Sequence, residues 1–398
     1  MEVYILDGLL RRTAVVDVFE SLIWTERRKE IGDFELIVLS TPGNQSLFPA
    51  GTRLAINESM CVMTVETVED ATDAEGRKTI KLSGRSLEYI LQDRILFQTY
   101  GGYNRMPWTV QSYPPAEAVR QMFQAICVEG QVHSSDVIPG VITNQSLYPP
   151  STIPEPTEVL NETYEPQPLY DAFKSILDPH EMGVRLYRNP NTSALHFDVY
   201  SGNDRTTRQT EHRPVIFSPE LDNLQNVTSL RTVENSKNVV YVYFKPLSYS
   251  ITVYQDDSGP EVEGLDRRAL ILNVDNLPEG MVPPVLEIPD PGNFDHELND
   301  ARWEELNVYL ARLGKDALMN ARAFMAFDGE IDQNSEYKYG VHYFLGDLVE
   351  QRSSDGASNY MRVTEQIFSS DINGDKSYPT LEKELYISPG AWASWRYK

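Results

Sequence analysis

Two stretches near the amino end alternate apolar and polar positions. Residues 21–26 (SLIWTE) and 34–39 (FELIVL) are β-branched and aromatic, and RRKEIGD between them carries Gly32 as turn residue, so the pattern predicts a hairpin. A second is expected from 51–56 through 63–68, the turn Asp73-Ala74-Glu75-Gly76 and a strand at 79–82. After Ser83-Gly84-Arg85-Ser86 the period lengthens. Leu87, Ile90, Leu91 and Ile95 recur at helical spacing, which predicts a short helix laid across a barrel closing at residue 97.

The second region, 98–215, reads as a helical and α+β insertion. PPAEAVRQMFQAICVEG places Ala118, Met122, Ala125 and Ile126 on one face behind helix-starting prolines. From Gln121 to Phe173 there is no Lys or Arg, and prolines stand at 149, 150, 154, 156, 166 and 168. Residues 131–168 are therefore expected to be an extended loop that gains order from neighbouring proteins. Leu169, Ala172, Phe173, Ile176 and Leu177 restore a helix, followed by strands at 184–187 and 195–199.

The third region, 216–398, opens with strands at 227–233 and 239–244, expected to pair as a hairpin across Glu234-Asn235-Ser236-Lys237-Asn238. The longest helical pattern follows at about 295–324. Its interruption is expected near Gly314, and its buried stripe at Leu298, Trp303, Leu306, Leu310, Leu313, Ala317 and Ala321.

Composition narrows the class. A chain of 398 residues with 41% hydrophobic content implies two or three folded domains. With 59 acidic against 35 basic residues the net charge is -24, which disfavours gripping phosphates or anionic lipid. The start MEVYILDG lacks the charge pattern of an export signal, and no apolar run approaches the ~20 residues a membrane span needs. Cys61 and Cys127 read as buried thiols.

Catalytic chemistry finds little purchase. The histidines at 133, 180, 196, 212, 296 and 342 form no HExxH, HxH or Cys/His spacing. His180-Glu181 falls at a helix end, Asp371-Ile372-Asn373-Gly374-Asp375 lacks the distal glutamate of a calcium loop and reads as a turn, and Gly101-Gly102 sits among aromatics as a loop. No catalytic, cofactor-binding or metal residue is assigned, and no cofactor is expected.

One pattern repeats. Met63, Val65, Asp73 and Gly76 stand at relative positions 0, 2, 10 and 13, as do Met361, Val363, Asp371 and Gly374; Gly51 precedes the first set and Gly346 the second. A hairpin pattern precedes each, SLIWTERRKEIGDFELIVL and VTSLRTVENSKNVVYVYF. The alternatives are two related β-barrel units or convergence on one common hairpin form.

SLIWTERRKEIGDFELIVLS, GRSLEYILQDRIL, and YFLGDLVEQ followed by MRVTEQIFSSDINGD resemble the minor tail proteins of siphophages infecting actinobacteria, relatives of the central baseplate hub of contractile-tailed phages. The resemblance implies a mostly β, α+β fold with two tube-like barrel units, at 1–97 and 216–398, flanking the insertion. It further implies a structural, non-enzymatic protein of the virion tail tip: a homotrimer presenting six similar barrels to the sixfold tail tube, with DNA passing through transiently. Expected partners are the distal tail protein or tail tube ring, the tape measure protein and other minor tail or spike proteins, with no membrane insertion by this chain. A carbohydrate-binding receptor protein, suggested by 22 tyrosines and 5 tryptophans, is the alternative, and a cell-wall-degrading enzyme is third.

Overall fold

The amino-terminal alternation forms seven strands: β1 (Val3–Leu6), β2 (Arg12–Val16), β3 (Ser21–Arg27), β4 (Asp33–Leu39), β5 (Arg53–Ile56), β6 (Met63–Thr72) and β7 (Lys78–Ser86). They lie edge to edge as β3-β4-β7-β6-β5-β1-β2, all antiparallel. Both expected hairpins are present. Leu22, Trp24, Leu36, Met63, Ile80 and Leu82 share one face and build a core, as a period of two requires. The helical spacing after it is a single 3₁₀ turn, Leu87–Leu91, with Leu87 and Leu91 buried; Ile95 lies outside it and is exposed. The computed structural model describes the whole chain except residues 73, 101–103, 222, 224, 255–263, 279, 287–294, 322, 331–335, 353–357 and 386–398.

The insertion contains β8 (Trp108–Tyr113), α1 (Pro115–Phe123), β9 (Leu160–Tyr164), α2 (Leu169–Leu177), β10 (Gly183–Arg188) and β11 (Leu195–Tyr200). Ala118, Met122, Ala125 and Ile126 are buried, and Phe123 stacks on Phe197 with ring centroids 3.6 Å apart. The proline-rich stretch is largely irregular, yet it does not wait for a neighbour to order it. Ile142 exchanges backbone hydrogen bonds of 2.9 Å with Leu195 and Phe197, Ile138 enters the core, and β9 pairs with β8. The Tyr148 ring lies 3.4 Å from the Arg185 guanidinium and meets Phe344 edge-on. Apolar anchors spaced along the segment, invisible to a period count, pin it to this chain's own surface.

The last region contains β12 (Ile216–Phe217), β13 (Gln225–Thr232), β14 (Val239–Phe244), β15 (Tyr249–Tyr254), β16 (Ala269–Val274), α3 (His296–Asn320), β17 (Ala323–Glu330), β18 (Leu348–Arg352), β19 (Ser358–Asp371) and β20 (Gly374–Leu385). Here the expected 227–233/239–244 hairpin is wrong. β13 pairs with β17, while β14 is the middle of a separate sheet between antiparallel β15 and parallel β16. Val240 and Val242 of β14 pack under α3, so residues 239–320 are a second insertion between two strands of the main sheet.

The long helix is continuous through Gly314. A Cβ there would lie 2.8 Å from the Val253 side chain and 2.9 Å from that of Val242, so the glycine lets helix and sheet approach closely and does not break the helix. Its stripe is also shifted from expectation: Asn299, Leu306, Leu310, Gly314 and Leu318 are buried, whereas Leu298 is exposed. Asp295 caps the amino end, its carboxylate accepting from the Leu298 amide at 2.9 Å.

The two ends of the chain meet in one 13-stranded sheet of order β13-β17-β20-β19-β3-β4-β7-β6-β5-β1-β2, with β18 on β19 and β12 on β18. The fold is mostly β, and its two related halves join where β19 lies beside β3.

Candidate assembly surface

The repeated motif is a repeated geometry. β6 and β19 each carry a register shift at the same place, between Val65 and Thr67 and between Val363 and Glu365. On one side Gly51 donates its amide to Val65 O at 2.7 Å and Val65 donates to Thr52 O at 2.8 Å. On the other, Gly346 donates to Val363 O and Val363 to Asp347 O, both at 2.9 Å. Gly51 and Gly346 hold φ of +90° and +87°, a region costly for any residue with a Cβ. The flanking pairs also agree: Arg53 faces Thr64 and Leu54 faces Met63, as Leu348 faces Arg362 and Val349 faces Met361. Convergence on a common hairpin does not produce a matching bulge, glycine turn and neighbour register together. Of the sequence set, Asp73 lies outside the described residues. Gly76 and Gly374 both have positive φ, although the second hairpin's connection is one residue shorter.

After the bulge the two hairpins part company. In β19, Glu365 to Ser370 pair residue by residue with Arg27 to Leu22 of β3, and Phe368 packs into the core beside Trp24. In β6, residues 66–72 have β7 on one edge and, among the described residues, no strand on the other; all seven are exposed. At the far end of the sheet β13 has β17 on one edge and, again among the described residues, none on the other. Two open strand edges therefore terminate an eight-strand run, β13-β17-β20-β19-β3-β4-β7-β6.

The face of this run opposite the core is laced by cross-strand ion pairs. Arg27 holds Glu365 at 2.7 Å and Asp33 at 2.8 Å, Lys81 holds Glu35 at 2.8 Å, and Arg85 holds Glu66 at 2.7 Å. Each pair is partly or fully solvated, so their consequence is for the field of the surface more than for stability.

Divergence between the halves explains how the insertion is held. Where the first unit has Thr52 and Thr64, the second has Asp347 and Arg362. Buried Asp347 pairs with Arg205 at 2.6 Å and accepts from the Asn203 and Phe344 amides; desolvation pushes its carboxyl up and Arg205 pulls it back. Arg362 donates to Ser201 O and to Gly346 O, and holds Glu181 at 2.6 Å.

Where both units meet the insertion, a cavity of about 30 Å³ is lined by Glu26, Glu88, Tyr148, Arg185, Tyr200 and Tyr339, among others. Burial pushes Glu26 up to about 7, against the hydrogen bonds of Ser59 and Tyr339, and also raises Glu88. Tyr339 donates to Glu26 Oε2 at 2.8 Å, and the Leu186 amide donates to Glu88 Oε1 at 3.1 Å. Arg185 pairs with Asp198 at 2.7 Å. Of the residues singled out in the sequence, Cys61 also lines this cavity.

The others lie outside its lining. Cys61 and Cys127 are free and buried, with burial raising Cys127 to about 12. Glu181, in a left-handed cap, serves Arg362, and burial lowers His180. Asp371 accepts from the Asn373 amide at 2.7 Å, which makes that segment a tight hairpin turn. Gly101-Gly102 lies outside the described residues. Sequence reasoning missed the open edges; its one available signal was the skipped alternation, Val65 to Val68 and Val363 to Gln366.

A family model for the Siphovirus ReqiPepy6 Gp37-like protein matches residues 2–377. The chain belongs to that family. Two solved structures share its fold: the tail protein from Neisseria meningitidis MC58, at 10% identity and TM-score 0.52 over 96% of each chain, and the 43 kDa tail protein of prophage MuSo2 from Shewanella oneidensis, at 12% identity and TM-score 0.52 over 98% of this chain and 99% of that one. No curated protein matches. The chain is thus a member of a siphovirus protein family with the fold of phage tail proteins. Among its described residues no helix is long and apolar enough to cross a membrane.

Proposed function

We propose that the protein is the hub of the tail tip: three copies form a ring whose six related units meet the sixfold tail tube, and DNA leaves through the bore. The observation that carries this reading is the shared bulge, turn and register of the two halves, because a trimer can match a hexameric ring only if each subunit carries two quasi-equivalent surfaces. The distal tail protein or tube ring, the tape measure protein and other minor tail or spike proteins are its partners.

The polar face of the eight-strand run lines the bore in this reading. Arg27, Lys81 and Arg85 each already hold an acid there, so DNA meets paired cations and an acidic remainder that repels phosphate. Replacing Asp33, Glu35 and Glu365 with Lys slows ejection, most at low salt; unchanged kinetics would remove the bore assignment. Of the aromatic residues that suggested sugar binding, Trp24 is in the core, and Trp108 and Trp303 are half-buried.

Copy number tests the hub. Mass measurement of assembled tails is expected to give three chains per tip; six copies, or tails lacking the chain, would overturn it.

A further inference from the structure

We infer that the first insertion carries a saccharide site: a cleft between β8 and the carboxyl end of α1 takes one uncharged sugar ring against Trp108 and Tyr113 and reads its hydroxyls with Gln121 and Gln124. The cleft lies outside both repeated units, so it does not depend on the hub reading.

Two irregularities of the backbone build it. In β8 the register against β9 shifts between Gln111 and Tyr113, leaving Ser112 as the extra residue at φ +59°. The Asn161 side chain holds it there, its Oδ1 accepting from the Ser112 amide at 2.9 Å. Strict alternation would put Tyr113 on the face opposite Trp108 and Val110. The extra residue returns it to theirs, and all three line the cleft. A left-handed serine is strained, and strain of this kind concentrates at binding sites.

The helix side is irregular as well. α1 runs into a π turn, Gln124–Val128, in which the Glu129 amide donates to Gln124 O at 2.9 Å. Positions five apart point away from each other on a helix of about 3.6 residues per turn; the wider turn brings them together. The Glu129 carboxylate accordingly accepts from Gln124 Nε2 at 3.2 Å and from Gln131 Nε2 at 2.7 Å, which fixes two amides at the cleft. Glu117 holds Gln121 in the same way at 2.7 Å.

The lining selects the ligand. The cleft holds about 230 Å³, below the ~300–1,000 Å³ of sites for drug-sized ligands, so it fits one ring with the rest of a chain outside. Among the described residues its lining has one carboxylate, already shared by two amides, and no cation, so a phosphate or uronate finds no counter-charge. Tyr113 is 42% exposed and Trp108 half-buried, so neither ring is committed to the core. Aromatic surface beside planar amides suits a ligand with an apolar C–H face and hydroxyls around its edge. Gln121 and Gln124 each keep carbonyl lone pairs and a second N–H, which match a vicinal pair of hydroxyls.

The test is saturation-transfer NMR on the full chain with millimolar glucose, galactose, mannose, arabinose and N-acetylglucosamine and their disaccharides, beside sulfated and uronic sugars and a proline-rich peptide. At least one neutral sugar is expected to receive saturation, most strongly on the protons of one ring face. Tyr113→Ala, at an exposed position, and Gln124→Ala are each expected to weaken its binding about tenfold or more, while Tyr113→Phe keeps the ring and stays within about threefold of wild type. Silence from every neutral sugar, preference for the charged ones, or binding of the peptide alone would overturn the proposal. So would a neutral sugar whose affinity ignores both alanine variants. Should Gln124→Ala not fold, the contrast between Tyr113→Ala and Tyr113→Phe decides by itself.

Discussion

Two half-strands that follow the same bulge, residues 66–72 and 365–370, meet opposite fates. The second alternates between buried and half-buried positions because β3 lies along it; the first is exposed throughout. Their hairpins share bulge, turn and register, so local sequence does not set the difference. What sets it is whether the chain supplies a neighbouring strand. Exposure at one repeat, read against burial at the other, marks the edge that no strand covers among the described residues.

The strongest way to break the comparison is at the covered copy. Trp24 is 0% exposed and packs with Phe368, itself 3% exposed, so Trp24→Ala is expected to cost about 3–5 kcal/mol in denaturant unfolding of the free chain. At the open copy Val68 is 40% exposed, and Val68→Ala is expected to change the same measurement by less than about 0.5 kcal/mol. Equal effects would mean that the open half is already buried in the free chain.

Divergence between the units gives the next contrast. Asp347→Ala leaves the buried Arg205 guanidinium without its carboxylate and is expected to cost about 3–5 kcal/mol, whereas Thr52→Ala at the matching position stays near 1 kcal/mol. Chemical denaturation of both variants checks the ratio.

Glu26, beside the joint, gives a pH signature. Its carboxyl titrates at about 7 in the folded protein against 4.5 ordinarily, so between those values the folded state holds the extra proton and this group's contribution to stability falls as pH rises. Glu26→Gln removes that fall. The variant is expected to gain up to roughly 3 kcal/mol over wild type above pH 7 and nothing near pH 4.5, read from thermal unfolding across that range. A pH-independent difference would place the charge elsewhere.

The smallest contrast concerns the paired glycines. A Cβ at Gly51 meets open space, so Gly51→Ala carries only the cost of positive φ, about 1 kcal/mol. At Gly346 the same atom would lie 2.6 Å from the Tyr200 ring, and Gly346→Ala is expected to cost measurably more in the same unfolding assay.

Much of this was legible in the residues. SLIWTE and FELIVL alternate cleanly enough to give β3, β4 and their register, and the offsets shared by Met63, Val65, Met361 and Val363 announced the repeat. Pairing of β13 was not legible. Its partner β17 lies beyond an inserted sheet and helix, and the nearest apolar run, Val239–Phe244, satisfied every local rule for a hairpin. The anchors of the proline-rich stretch escaped because isolated residues such as Ile138 and Tyr148 make no period. The open edge escaped for a deeper reason: an unpaired strand edge is a property of topology, and the skipped alternation at Val65 to Val68 records the bulge without saying which strand lies beside it.

Strand β19 is long enough to lie first beside β18 and then beside β3. In mechanical terms it is a lap joint between the two halves of the chain. A pull along the strands loads the six matched positions of the β19–β3 overlap together, in shear, and cannot peel them one at a time. The joint therefore stays stiff until it yields abruptly, which in the proposed hub would hold the bore open while a polymer is driven through it.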